Sequence, residues 1–274
     1  MDDYRDVNRA LWDERAPAHA ASPDYHLDRF IERPDYLSSV VAFDRERLGD
    51  IAGMTGLHAQ CHIGTDTLSL HRLGARMSGL DFSGASIEQA QRLAERAGAV
   101  IDFRQSDVYD AAKVFGANAF DLVYTGIGAI GWLPDIVAWG HVIGQLLKPG
   151  GRFFMREGHP MMWAATDPRP DGLIVIEHPY FTPDEPSLWD QQGTYVQTDV
   201  VFTNTKSQEW NHSLGEVVQA LIDAGLRITR LVEHDTAPWV PRAGEMVEVS
   251  EGEWRLIDRP NRLPLTYTVQ GVKE

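Results

Sequence analysis

From residue 56 to residue 156 the chain alternates short apolar runs with helical stretches, and nothing else constrains its fold as strongly. Leu57 to Cys61, Arg76 to Leu80, Val100 to Arg104, Phe120 to Thr125 and Arg152 to Arg156 read as strands. Thr65 to Leu73, Ser83 to Ala97 and residues 135–147 carry helical spacing, closed by Gly74, Gly98 and Lys148-Pro149-Gly150-Gly151. Parallel neighbours need a crossover long enough to bring the chain back to the same end of the sheet, and a helix supplies it. The predicted class is therefore α/β, a mostly parallel sheet with helices on both faces.

The flanks read differently. Residues 2–16 form an expected amphipathic helix with Tyr4, Val7, Leu11 and Trp12 near one face, ended by Pro17, and a second helix is expected over 35–49. After Pro160 the regularity breaks. Residues 160–210 are rich in proline and aromatic rings, and Leu173 to Glu177 and Tyr195 to Phe202 alternate like antiparallel strands. Helical spacing returns at Ser213 to Ala224, followed by a strand at Leu226 to Val232, a loop-rich stretch over 234–263 and a last strand at Leu265 to Val272. The expected organisation is a helical lid (1–50), a ligand-binding α/β domain (51–159 with 211–274) and a substrate cap inserted after strand five (160–210).

Composition excludes several tasks. Asp and Glu number 40 against 25 Lys and Arg, a net charge of −15, so nucleic-acid backbones and anionic membrane surfaces are repelled. One cysteine rules out an internal disulfide. The opening MDDYRDVNRA has no apolar core of a signal peptide, and the longest uncharged apolar stretch, Leu122 to Pro134, is too short to span a bilayer. The expected setting is the cytoplasm, with a small-molecule partner; a homo-oligomer is compatible with the sequence.

Open α/β sheets bind ligands beyond the carboxyl ends of their strands. There the chain places Gln60, His62, Gly64, Thr65 and Asp66 after strand one, Asp81, Phe82 and Ser83 after strand two, Asp107 and Val108 after strand three, and Thr125 after strand four. An acid after strand two can accept both hydroxyls of a ribose. An acid with an apolar neighbour after strand three can take an adenine amino group and cover the ring. Glycine suited to a pyrophosphate cradle is missing, which argues against a nicotinamide enzyme.

These motifs, with Phe120-Asp121-Leu122-Val123 and Leu146-Leu147-Lys148-Pro149-Gly150-Gly151, resemble the class I S-adenosylmethionine-dependent methyltransferases over residues 50–158. The resemblance implies a Rossmann-like seven-stranded sheet and S-adenosylmethionine as cofactor. It also implies cofactor contacts from Gln60, His62, Gly64, Asp66, Asp81, Phe82, Ser83, Asp107, Val108 and Thr125, with Trp12, Arg15 and His19 folded over them from the first helix. The family's acid-x-Gly-x-Gly-x-Gly loop falls on His58, Gln60, His62 and Gly64, so only its last glycine is present.

Methyl transfer to a hydroxyl or ammonium also needs a base. His159, beside Glu157 after strand five, is the expected catalytic pair. Tyr180, Tyr195, Trp210 and His212 are the expected wall for a small aromatic or apolar acceptor. No metal is expected, since His58, Cys61, His62 and His71 do not converge, and Cys61 reads as a small buried hydrophobe. The reading left beside this one is a catalytically inactive methyltransferase-fold binding or scaffold protein.

Overall fold

The computed structural model describes residues 3–274. Asp2, the expected start of the first helix, lies outside the described residues. Helix α1 runs Tyr4–Ala21, its first turn capped by the Asp3 carboxylate. It passes through Pro17 instead of ending there, because Leu11, Arg15, Ala16, Ala18 and His19 are buried on both sides of the proline. A short helix α2 (Leu27–Glu32) precedes the second expected helix, which forms as α3 (Ser39–Leu48).

The alternating region then delivers β1 (Thr55–Ala59), α4 (Thr65–Arg72), β2 (Arg76–Asp81), α5 (Gly84–Arg96), β3 (Asp102–Gln105), α6 (Ala111–Phe115), β4 (Phe120–Thr125), α7 (Ile136–Leu146) and β5 (Leu147–Gly158). Next come α8 (Pro160–Trp163), β6 (Ser187–Asp190), β7 (Lys206–Glu209), α9 (Leu214–Asp223), β8 (Leu226–His234), β9 (Thr236–Ala237), β10 (Met246–Ser250), β11 (Glu253–Leu256) and β12 (Thr266–Lys273). The seven-stranded sheet has the order β3-β2-β1-β4-β5-β12-β8. Strands β1 to β5 are parallel, and β12 runs antiparallel between β5 and β8. Strand order reverses between β1 and β4, which puts the ligand-binding crevice above β1.

Alternation sorts the two faces. Leu57, Ala59, Val123 and Phe153 pack with Trp139 and Ile143 of α7 and Val217 and Leu221 of α9. On the other face Met77, Leu122, Tyr124 and Phe154 meet Val41 and Leu48 of α3. Helices α7 and α9 touch through backbone: a Cβ on Gly140 would sit 2.7 Å from the Ala220 carbonyl oxygen.

The insertion departs from expectation. Leu173–Glu177 and Tyr195–Phe202 do not form strands; the sheet pair is β6 with β7. Leu173, Val175, Ile176, Val200 and Val201 are exposed, and Val196 and Phe202 are the buried members of the second stretch, Phe202 against Arg15 of α1, so neither run has a continuous buried face to specify a ladder. Conversely, the stretch read as loop-rich holds a three-stranded antiparallel sheet, β10-β11-β9. Met246 and Leu256 from it close a small core with Met162, Ala237 and Leu263.

A buried polar bridge ties that small sheet to the large one. Arg156, fully buried in β5, makes a two-pronged contact with Glu253 of β11 at 2.7 and 2.9 Å, and its guanidinium lies 3.7 Å over the Phe43 ring of α3. Nearby, the Tyr124 hydroxyl donates to Asp44 at 2.8 Å, while the other Asp44 oxygen is buried without a partner. Burial pushes the Asp44 carboxyl up to about 7, against the pull of Arg156. An acid raised by folding makes the native state hold the proton longer, so its contribution to stability falls as pH rises from about 4 to about 7. Asp44→Asn should therefore gain stability relative to the unsubstituted protein between pH 5 and pH 8, read from urea midpoints. A difference that does not move with pH would show that Asp44 is ionised throughout.

Candidate functional site

The turn from β1 into α4 is the centre of the crevice. Gln60 (φ 62°), His62 (φ 48°) and Gly64 (φ 80°) all adopt left-handed backbone. The path suited to glycine is kept although two of the three residues carry side chains, at roughly 1–2 kcal/mol each for a non-glycine residue. Hydrogen bonds offset that strain. The Cys61 N–H donates to the Leu80 carbonyl at 2.8 Å, the His62 N–H to Asp81 Oδ2 at 2.8 Å and the Gln60 amide to the Ala129 carbonyl at 2.7 Å. Gly64 remains glycine for a packing reason too: a Cβ there would lie 2.7 Å from the Cβ of Ala90. Cys61 is buried against Ile87, Ala90 and Phe103, as a small hydrophobe.

Asp81 links two turns. Oδ2 takes the His62 N–H and Oδ1 takes the Ser83 N–H at 2.9 Å. Burial raises its carboxyl to about 6. Ser83 caps α5, and its hydroxyl in turn donates to Asp13 of α1 at 2.6 Å. Asp107 accepts from the Tyr109 N–H through one oxygen and from Arg5 through the other at 2.6 Å. Val108 is buried in the main core, and Phe82 is half-buried beside the turn. At the methionine end of the expected site, Gln60 Oε1, His58 Nε2 and Thr125 Oγ1 are buried without partners.

A cluster of rings roofs this turn. His62 Nε2 lies 2.9 Å from His19 Nδ1, and His19 Nε2 lies 2.6 Å from the Thr194 hydroxyl. Trp12 meets His62, His19 and Trp132 edge-on at 5.1, 5.7 and 5.2 Å. The Tyr195 ring stands edge-on to His19, and its hydroxyl is 2.6 Å from that of Tyr25. Burial pushes His19 down to about 3 and His62 well down, so both rings are neutral at physiological pH. Tyr25, Trp132, Asp13 and Arg5 are the members that sequence reasoning missed. They lie in elements whose placement over the sheet no local pattern records.

Several expected site residues have other tasks. Arg15, expected over the cofactor carboxylate, is nearly fully buried and donates to the carbonyls of Leu11, Asn204, Gln191 and Gly193, with Phe202 under its guanidinium. The Glu157 carboxylate accepts four N–H groups, from Gly128, Ala129, Ile130 and Gly158, and so holds the loop after β4. His159 has both ring nitrogens engaged: Nδ1 takes the Met161 N–H at 3.0 Å, capping α8, and Nε2 is 2.9 Å from Glu233. In this structure both members of the expected catalytic pair are thus engaged by other groups of the chain. His212 bonds Thr182 and the Leu133 carbonyl, and Trp210 is buried edge-on against Tyr4; both anchor the insertion instead of lining a wall. Tyr180 is half-buried against Phe181. Of the four expected wall residues, only Tyr195 reaches the ring cluster. His62 lies past the end of β1, in the turn. Among the described residues no group of three His, Cys, Asp or Glu side chains is arranged to hold a metal ion.

Residues 57–151 match a family model described as a methyltransferase domain. The chain resembles the ubiquinone biosynthesis O-methyltransferase of Methylobacterium sp. (strain 4-46), 30% identical over 156 residues, covering 55% of this chain and 59% of that protein. That of Nitrosococcus oceani is 35% identical over 104 residues, or 38% and 43% of the two chains. The chain thus spans less than two thirds of the length of these curated relatives. Among solved structures, an S-adenosylmethionine-dependent methyltransferase from Mesorhizobium loti superposes with a TM-score of 0.60 at 19% identity, covering 86% of this chain and 99% of that one. The geranyl diphosphate C-methyltransferase of Streptomyces coelicolor A3(2) gives 0.53 at 17% identity, covering 86% and 79%. Residues 57–151 thus match a methyltransferase domain, and the chain has the fold of S-adenosylmethionine-dependent methyltransferases. The residues present fit that cofactor: two acids stand one βα unit apart, and buried acceptors without partners lie at the methionine end.

His159→Ala should cost roughly 1 kcal/mol of stability through the lost cap, more if Glu233 is left poorly paired. Urea unfolding would register that loss, while calorimetric affinity for S-adenosylhomocysteine stays unchanged. A tenfold loss of affinity with unchanged stability would restore His159 to the site.

Proposed function

We propose that the protein transfers a methyl group from S-adenosylmethionine to a small molecule with an aromatic or apolar body. The observation that carries this reading is that Asp81 braces the turn after β1 while Gln60 Oε1 in that turn and Thr125 Oγ1 at the end of β4 are buried without partners. When bound, the cofactor supplies a methyl group activated by its sulfonium. The chain's own residues bind and enclose. Each Asp81 oxygen uses one lone pair on a backbone amide and keeps another for a ribose hydroxyl. Asp107 recognises the adenine amino group once Arg5 yields it. Trp12, Tyr25, Trp132 and Tyr195 exclude water and hold a flat acceptor in a near-attack pose. The relatives named as ubiquinone biosynthesis O-methyltransferases point to an oxygen as the methylated atom.

The side chains at Gln60 and His62 favour a second reading, an inactive fold member used for binding. Calorimetry separates the two. The unsubstituted protein should bind S-adenosylhomocysteine, and Asp81→Asn should weaken it by about ten- to hundredfold, since a hydrogen bond to a charged acceptor contributes about 1.5–3 kcal/mol. Absence of binding at millimolar ligand would favour the second reading.

The covering unit is α1 together with the insertion, residues 4–21 and 187–209. Asn8 pairs with the Gln208 backbone in both directions, and Glu14 accepts the N–H groups of Thr203 and Asn204. Both segments should gain hydrogen-exchange protection together when S-adenosylhomocysteine is added, with β1 to β5 little changed. Protection gained by α1 alone would break the unit apart.

A further inference from the structure

The β1 position where the resembled family carries an acid is His58, and the structure leaves no negative charge there. The His58 ring is almost fully buried, with Nδ1 2.9 Å from the Thr67 hydroxyl and the ring edge-on to Tyr124. Burial pushes it down to about 3, so it is neutral. If Nδ1 carries the proton and donates to Thr67, the unpartnered Nε2 is an acceptor.

A carboxylate does reach the same place, from across the turn. Asp66 lies in the first turn of α4, two residues after Gly64. A Cβ built on Gly126 would lie 3.0 Å from His58 Nε2 and 3.7 Å from Asp66 Oδ2. Both groups thus face the backbone immediately after β4. Thr125, the residue before Gly126, contributes a fully buried hydroxyl with no partner, and Gln60 adds a buried amide oxygen with none. Ser38 is the one favourable neighbour of Asp66, and burial raises its carboxyl to about 6. Facing Gly126 are therefore two acceptors, His58 Nε2 and Asp66 Oδ2, with the unpartnered Thr125 and Gln60 oxygens on residues that end β4 and follow β1.

We propose that Asp66 receives the ammonium group of the cofactor's methionine end, taking over from α4 the charge that β1 lacks at His58. This rests on the methyltransferase reading above. An ammonium has three donors and no acceptor, and it satisfies a carboxylate, an imidazole nitrogen and a hydroxyl or amide oxygen at once. A metal ion is the poorer occupant, because no three His, Cys, Asp or Glu side chains among the described residues are arranged to ligate one. The assignment also accounts for the tolerance of Gln60 in the turn: its amide is anchored on Ala129 and its oxygen is turned inward.

The test compares two probes on one protein. S-adenosylhomocysteine carries the ammonium; 5′-methylthioadenosine has the same nucleoside and thioether without it. In Asp66→Asn, S-adenosylhomocysteine should bind about ten- to hundredfold more weakly, while 5′-methylthioadenosine stays within about twofold of the unsubstituted protein. Asp66→Glu, which keeps the charge, should recover part of the loss, and urea unfolding of each variant shows that it is folded. Equal weakening of both probes, or no weakening of either, would overturn the assignment. If the unsubstituted protein binds neither probe, the methyltransferase reading fails and the assignment falls with it. Binding by the unsubstituted protein with an unaffected Asp66→Asn variant overturns the assignment alone.

Discussion

The Asp81 carboxylate holds together the part of the molecule on which the rest of the site depends. One oxygen fixes the turn after β1 and the other fixes the turn after β2, each through a backbone amide. Charge-assisted bonds of this kind are roughly twice as strong as neutral ones. They offset the strain of left-handed backbone at Gln60 and His62, which would otherwise relax into a different loop. The turn in turn aims the His62 ring upward, and every ring of the roof packs on His62 or on a neighbour of it. An acid that the sequence offers as a ribose ligand is thus also the strut of its own binding site.

The roof is built from two distant stretches of chain that behave as one element. Asn8, Glu14 and Arg15 on α1 satisfy backbone groups of the insertion nearly 200 residues away, in place of a sheet partner for that segment. Loops of that length cannot leave buried carbonyls unpaired. The Arg15 guanidinium, with its fan of donors, meets three of them at once while resting on Phe202. The insertion is consequently ordered by α1 more than by its own two-stranded ladder, and a movement of one carries the other.

Polar groups after β5 were legible as chemistry, and in the folded chain they hold backbone and a side chain. Glu157 and His159 have the residue types of an acid–base pair, and the strand end puts them at the crevice. Yet four amides converge on the Glu157 carboxylate, and a helix cap plus Glu233 take up both nitrogens of His159. A strand end beside a sharp loop exposes backbone donors, and the nearest side-chain acceptors are spent on them. Residue type and position cannot tell a group free to act from one already committed.

The sequence by itself determined the parallel core, because periodicity and turn residues act locally: five strands, their crossover helices, Asp81 and Asp107 at the strand ends, and Cys61 as packing all follow from spacing within one or two elements. The small sheet of β9 to β11, the absence of strands at Leu173–Glu177 and Tyr195–Phe202, and the roof of Trp12, Tyr25, Trp132 and Tyr195 were decided only by tertiary structure. Alternation specifies a strand only when one face has something to bury against, and that partner lies elsewhere in the chain. The same holds for charge: Asp66 and His58 are eight residues apart in sequence, but only the folded turn sets both against Gly126.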